Sequence, residues 1–232
     1  MTLAGTPGLR VERDGGVARI TLDRPDVGNA IDVALARSLM EAAIACDDDD
    51  DVRCVVLTGS GRMFCVGGDV TSFARAGEGV GGLLKETTAY LHAAIACFAR
   101  MGKPLVTAIN GPAAGAGLSL AILGDIALAA PQAHFTVAYT AIGMAPDGGA
   151  TWLLPRLVGL RRAQELCLRN TRLTAVEAAE IGLVTRVVAD GGLATETAAV
   201  ADDLSRGATS ARSDAAPVGR QLFPHAGNAP GV

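Results

Sequence analysis

Apolar and polar positions alternate along Leu9-Arg10-Val11-Glu12-Arg13 and again along Val17-Ala18-Arg19-Ile20-Thr21-Leu22, with Asp14-Gly15-Gly16 between them as a turn signal. The pattern predicts a β-hairpin. After the loop Arg24-Pro25-Asp26-Val27-Gly28-Asn29 the period changes. Over residues 32–45, Val33, Leu35, Leu39 and Ile44 fall near one helical face, with Asp32 available as the cap. Residues 52–58 (VRCVVLT) are a β-branched run of buried-strand type that ends at Gly59-Ser60-Gly61. Strand, helix and strand in that order predict an α/β layer architecture.

The alternation then recurs. A helix over 83–100 stops at Gly102 and Pro104, and Leu105-Val106-Thr107-Ala108-Ile109 reads as the next strand. A small-residue turn (110–115), a short helix (116–123), a strand (126–129) and a Gly/Pro loop (143–149) follow. Helices are expected near 151–158, 161–169 and 174–181, a last strand over 183–188 and a helix over 193–205. The tail, 207–232, has weak periodicity and carries four Gly and three Pro, so no structure is assigned to it.

Composition narrows the function classes. The 232 residues are 50% apolar and 19% charged, enough to bury the core of one large domain or two small ones. Twenty Lys+Arg against 24 Asp+Glu leave a net charge of -4, and eight aromatics offer few stacking platforms, so no nucleic-acid partner is expected. Cys46, Cys54, Cys65, Cys97 and Cys167 form no CxxC pair and have no His at ligand spacing, which reads as a reduced, cytoplasmic chain without a metal. Arg10, Glu12, Arg13 and Asp14 stand where an export signal needs an apolar block. The longest apolar stretch, around 113–130, is broken by Asp125. Neither export nor a membrane span is expected.

Several motifs have ordinary explanations. Gly77-Glu78-Gly79-Val80-Gly81-Gly82 satisfies GxGxxG, but no strand precedes it to aim the loop at a pyrophosphate, and a mobile loop is expected. Gly117-Leu118-Ser119-Leu120-Ala121 approximates a nucleophile elbow, with His134 and His225 as conceivable bases, yet Ser119 falls a turn into the helix and not at its sharp entry. The acidic run 47–51 reads as a solvated loop. His92, in a mostly apolar helix, reads as a core or interface histidine.

Three segments carry more. Phe64-Cys65-Val66-Gly67-Gly68-Asp69 follows a strand, and Asn110-Gly111-Pro112-Ala113-Ala114-Gly115-Ala116-Gly117 leads from a strand into a helix. Each is either a tight turn with nothing bound or half of an oxyanion hole, where unpaired N–H groups meet a carbonyl oxygen gaining charge. Gly143-Met144-Ala145-Pro146-Asp147-Gly148-Gly149 holds a carboxylate with little charge nearby. Asp147 either caps the next helix or, partly desolvated and with a raised pKa, shuttles a proton.

Together with Arg24-Pro25, Asn29-Ala30, Asp125 and Ala178-Ala179-Glu180-Ile181-Gly182-Leu183-Val184, these segments form an ordered set. In this set, from about Leu9 to Leu204, the sequence resembles the crotonase, or enoyl-CoA hydratase/isomerase, superfamily. The fold this implies is α/β, a crotonase-like spiral of ββα units with stacked β-sheets and C-terminal helices that assemble homotrimers or hexamers. It implies an acyl-CoA-binding core over 1–190, followed by a short helical segment and an atypical tail over 191–232.

The resemblance implies that Gly68 and Ala116 supply the oxyanion-hole N–H groups. Contacts with acyl-CoA are implied for Arg24, Val66, Gly67, Asp69, Gly115, Gly117 and Tyr139, with adenine near Val66 and pantetheine near the Arg24 loop. No cofactor is implied beyond the coenzyme A of the substrate. Val27-Gly28 stands where relatives often carry a basic residue. Ser119 and Tyr139 stand where a hydratase carries two glutamates, whereas Asp147 matches the acid of several double-bond isomerases. The expected activity is a double-bond shift in an enoyl-CoA with Asp147 as proton shuttle. A 2-enoyl-CoA hydratase of fatty-acid breakdown and a noncatalytic acyl-CoA binder are the alternatives.

Overall fold

The computed structural model describes residues 6–207, so the expected tail beyond Gly207 lies outside the described residues. Strands β1 (Leu9–Asp14) and β2 (Val17–Leu22) form the hairpin, in a register that pairs Leu9 with Leu22 and Asp14 with Val17. From β2 the sheet grows by parallel addition of β3 (Cys54–Gly59), β4 (Leu105–Ile109), β6 (Ile126–Ala129) and β9 (Arg186–Val187). A second sheet of three short strands contains β5 (Ala113–Ala114), β7 (His134–Thr136) and β8 (Leu173–Thr174), in the order β5-β7-β8.

Period-two alternation sets the layers. On β3 and β4, Val55, Leu57, Leu105 and Ile109 face α1 (Val33–Asp48) and α3 (Val80–Arg100), within the larger core with Leu35, Leu39, Ala94 and Phe98. Cys54, Val56, Val106, Ala108 and Leu128 face the other way, toward Ala201, Val200 and Leu204 of α8 (Leu193–Arg206). The helix beyond residue 190 thus packs directly on the sheet. Asp32 caps α1 by accepting the Leu35 N–H at 2.8 Å, as its position predicts.

The stretch 77–82 departs from expectation. It is no loop: Gly77–Gly79 is a 3₁₀ turn that follows α2 (Val70–Ala76), and Gly81 and Gly82 lie inside α3. Val80, Leu84, Thr87 and Leu91 extend the apolar stripe back through the glycines, which sit on the exposed side and weaken the helix by about 1 kcal/mol each without breaking it. The acidic run departs in part. Asp47 and Asp48 are the last residues of α1, and the Lys103 ammonium donates to the carbonyls of Cys46, Asp47 and Asp49 at 2.6, 2.9 and 2.7 Å. Arg13 pairs with Asp49 and Asp51. Two cations therefore hold the helix end, while Asp47, Asp48 and Asp50 remain exposed as a solvated run predicts.

Asn29 joins the loops below the functional region. Its side-chain amide donates to the carbonyls of Ser60, Met63 and Phe64 at 3.0, 2.8 and 3.0 Å, and its oxygen accepts the Arg24 N–H at 2.9 Å. The residue is fully buried. Asn29→Ala leaves those groups unpaired away from water and is expected to destabilise the fold by about 3 kcal/mol. Urea unfolding reads this as a lowered midpoint; an unchanged midpoint contradicts it.

Among the described residues no helix is long and apolar enough to cross a membrane. No group of three or more His, Cys, Asp or Glu among them is placed to hold a metal ion.

Candidate active site

The two Gly-rich turns run side by side. Ala114 N–H donates to the Cys65 carbonyl at 3.0 Å, and the Pro112 carbonyl accepts from Phe64 and Cys65 at 3.1 and 3.2 Å. On the far side, Ile31 N–H donates to Gly67 at 2.8 Å and Asp69 N–H to Ile31 at 3.0 Å. Main-chain pairing thus brings residues 65–69 into line with the start of α4 (Ala116–Ala121). The approach is possible because residue 117 is glycine: a Cβ there would stand 2.1 Å from the Cys65 carbonyl oxygen. The N–H groups of Gly68 and Ala116 have no acceptor among the described residues. Both residues border one cavity of about 200 Å³, with Ala116 at the exposed-dipole end of α4.

Apolar side chains make most of that cavity. Ile31, Val66, Phe73, Leu84, Leu91, Ile142 and Met144 line it, with Gly67, Gly115, Tyr139 and Asp147. Asp147 is the sole carboxylate in the lining. Gly148 and Gly149 follow it at φ 56° and 80°, a left-handed pair that turns the chain into α5 (Ala150–Val158). Gly149 is the cap residue, and Asp147 does not cap: its carboxylate points to other partners.

Tyr139 donates its hydroxyl to Asp147 Oδ1 at 2.7 Å, and His92 Nε2 lies 3.0 Å from Asp147 Oδ2. Ser119 Oγ is 3.1 Å from both the Tyr139 hydroxyl and the Asp147 carbonyl oxygen. A turn bonded from Tyr139 N–H to the Val137 carbonyl, with Ala138 at φ 62°, swings Tyr139 inward after β7. Ser119 is 0% exposed and inside α4, so it has neither the exposure nor the strand-to-helix corner of an elbow nucleophile.

Electrostatics corrects one expectation. Burial does raise the Asp147 pKa, but the hydrogen bonds from His92 and Tyr139 outweigh it and hold the carboxyl below its usual value of 3.8. The hydrogen bond to Asp147 likewise raises His92 above 6.5 against the opposing effect of burial. Burial, with the Asp147 charge, raises the Tyr139 phenol, which stays protonated as a donor. Cys65 beneath the turn donates to the Asn29 carbonyl at 3.1 Å, and burial pushes its thiol up to about 12.

These shifts predict a pH window. Asp147 lends stability above pH 3.8 that is lost as pH falls through its lower folded value, and His92 lends stability below pH 6.5 that is lost as pH rises through its higher folded value. The charged pair therefore supports the fold most between those limits. The gap in urea midpoint between wild type and His92→Gln is expected to be widest there; a gap independent of pH contradicts the pairing.

His92 is thus neither a core residue nor a bystander. Its side chain is 48% exposed and meets the carboxylate from α3, at the edge of that helix's buried stripe. That edge position beside Leu91 and Ile95 was the one sequence cue; its partner lies 55 residues on. Arg24 and Asp69 do not line the cavity. Arg24 pairs with Asp32 at 2.9 Å and Asp69 at 3.5 Å and donates to the Ala30 carbonyl. Asp69 also caps α2 through the Ser72 N–H. Gly117 and Ser119 lie behind the lining.

A six-stranded sheet, paired Gly-rich turns with unpaired amides and one carboxylate in an apolar cavity define a crotonase-type α/β enzyme. The chain belongs to the enoyl-CoA hydratase/isomerase family, whose model matches residues 12–216. It is 40% identical over 204 residues to a Rhodobacter capsulatus protein named "Probable enoyl-CoA hydratase", covering 88% of this chain and 77% of that one. It is 39% identical over 180 residues to the 1,2-epoxyphenylacetyl-CoA isomerase of Escherichia coli, covering 77% and 69%. The crystal structure of an enoyl-CoA hydratase from Polaromonas sp. superposes with a TM-score of 0.84 at 30% identity, over 90% of this chain and 82% of that one. The chain is an acyl-CoA-metabolising enzyme of this superfamily, whose members named here carry different reactions.

Proposed function

We propose that the enzyme moves a double bond along an enoyl-CoA by way of a dienolate, with Asp147 as the group that takes the proton from one carbon and delivers one to the other. The observation that carries this reading is the lone carboxylate in a cavity bordered by the free amides of Gly68 and Ala116, with Tyr139 and Ser119 hydrogen-bonded to that carboxylate's residue. The thioester oxygen sits against the two N–H groups. Ionised at neutral pH, Asp147 takes a proton from C2 or C4; the C–H electron pair passes through the conjugated system to the oxygen, where the amides hold the charge. Asp147 then delivers a proton to the other carbon and the thioester carbonyl reforms. One base suffices because no water is added, and no cofactor is needed beyond the coenzyme A of the substrate.

The resemblance implies two glutamates in a hydratase, to position and deprotonate the added water. The residues at the two glutamate positions are a serine and a tyrosine whose phenol stays protonated. Wild-type enzyme is therefore expected to convert 3-enoyl-CoA to 2-enoyl-CoA and to hydrate 2-enoyl-CoA poorly, followed by absorbance of the conjugated thioester. Brisk hydration with no isomerisation overturns the reading.

A further inference from the structure

We propose that His92 connects the proton held by Asp147 to solvent, so that the hydrogen moved during the double-bond shift is exchanged with water and not returned intact. The inference rests on the reading of Asp147 as the proton carrier. It starts from the position of that carboxylate, which forms part of the wall of two cavities. The first is the apolar cavity with the free amides. The second, of about 360 Å³, is lined by His92, Ile95, Leu123, Asp147, Trp152 and Leu153 among others.

Each carboxylate oxygen has its own neighbour. Oδ1 accepts from Tyr139, which belongs to the first cavity, and Oδ2 faces His92 Nε2, which belongs to the second. Tyr139 is 5% exposed and its phenol is held protonated, so it cannot pass a proton outward. Ser119 is fully buried. His92 combines contact with the carboxylate and a half-exposed ring, and an imidazole titrates in the range where it can both take and give a proton.

The step balances without another reactant. When Asp147 has removed a substrate hydrogen, it is a neutral acid. Its O–H proton passes to Nε2 of neutral His92 in the tautomer that carries its hydrogen on Nδ1 and leaves the Nε2 lone pair facing Oδ2; the O–H bond breaks, an N–H bond forms, and carboxylate and imidazolium face each other. The N–H protons of a half-exposed imidazolium exchange with water through brief openings. Return of the exchanged hydrogen to Asp147, and from there to the dienolate carbon, completes the shift. His92 is accordingly a positioning residue with a relay role and does not touch the substrate.

The test is isomerisation of a 3-enoyl-CoA in D2O, with deuterium in the product measured by mass spectrometry at low conversion. Wild type is expected to place solvent deuterium in most product molecules. His92→Phe fills the site without a proton carrier, and incorporation is expected to fall by about an order of magnitude, with a lower kcat. His92→Gln restores an N–H donor to Oδ2 but is too weakly basic to take the proton; it is expected to regain part of kcat and none of the exchange. A structural role alone moves the two readouts together. Protium-only product from wild type, or full incorporation in both variants, overturns the relay.

Phenylacetyl-CoA, which has an acidic C2 hydrogen and no double bond to shift, separates the two ideas. His92-dependent deuterium exchange at its C2 without isomerisation of 3-enoyl-CoA supports the relay and overturns the isomerase reading. Protium-only isomerisation of 3-enoyl-CoA with no exchange at C2 of phenylacetyl-CoA overturns the relay alone; no isomerisation and no exchange overturns both.

Discussion

Asp147→Asn is expected to slow enoyl-CoA isomerisation by about 10²- to 10⁴-fold, the usual worth of a positioned proton-transfer group. That is roughly 3 to 5.5 kcal/mol of transition-state stabilisation. The asparagine is nearly isosteric, its oxygen still accepts from Tyr139, and its amide can face His92, so the expected loss of folding stability is only about 1 kcal/mol. The contrast between a large kinetic loss and a small structural one is the signature of a group acting on the reacting atoms. Steady-state assays alongside urea unfolding measure both. Wild-type turnover by the variant would remove Asp147 from the mechanism.

The second large effect is expected from Gly117→Ala, a change of one methyl group behind the cavity lining. Its Cβ would stand 2.1 Å from the Cys65 carbonyl oxygen, and that neighbour is main chain, which has no rotamer to escape into. The start of α4 must back away from residues 65–68, and the Ala116 N–H moves with it. Misplacing one oxyanion donor costs about 10²- to 10³-fold in kcat. Overpacking itself costs about 1 to 3 kcal/mol of stability. The expected variant is folded and weakly active, with the loss in kcat and not in substrate affinity. Undiminished kcat would mean that the amide of Ala116 is not a donor to the transition state.

The parts of this structure that could be read from sequence are those whose cause is local. The hairpin and the central strands follow from alternation and from β-branched runs bounded by glycine, and the Asp32 cap from one residue next to one helix. Asp147 stood out because it is a charge between proline and two glycines. What failed was tertiary. The direction of the Asp147 shift depends on a tyrosine from beyond β7 and a histidine on α3, and no spacing rule joins them. The strands β5, β7 and β8 have two or three residues each, too few to display a period. The glycines at 77–82 signalled a loop because helix propensity is a local average, and the apolar stripe of α3 overrode it. The ion pairs of Arg24 with Asp32 and Asp69 also join residues too far apart in sequence for any spacing rule to reveal.

The hydrogen-bonded ladders on either side of residues 65–69 bear on how the enzyme spends its binding energy. Each turn is held from two directions by main chain, so the donor pair is ordered when the protein folds and does not wait for a guest to organise it. Under the proposed reaction the entropy of aligning those dipoles is settled in advance, and little solvent reorganisation remains when charge develops on the thioester. In the proposed reaction the acyl end therefore meets its electrostatic environment ready made.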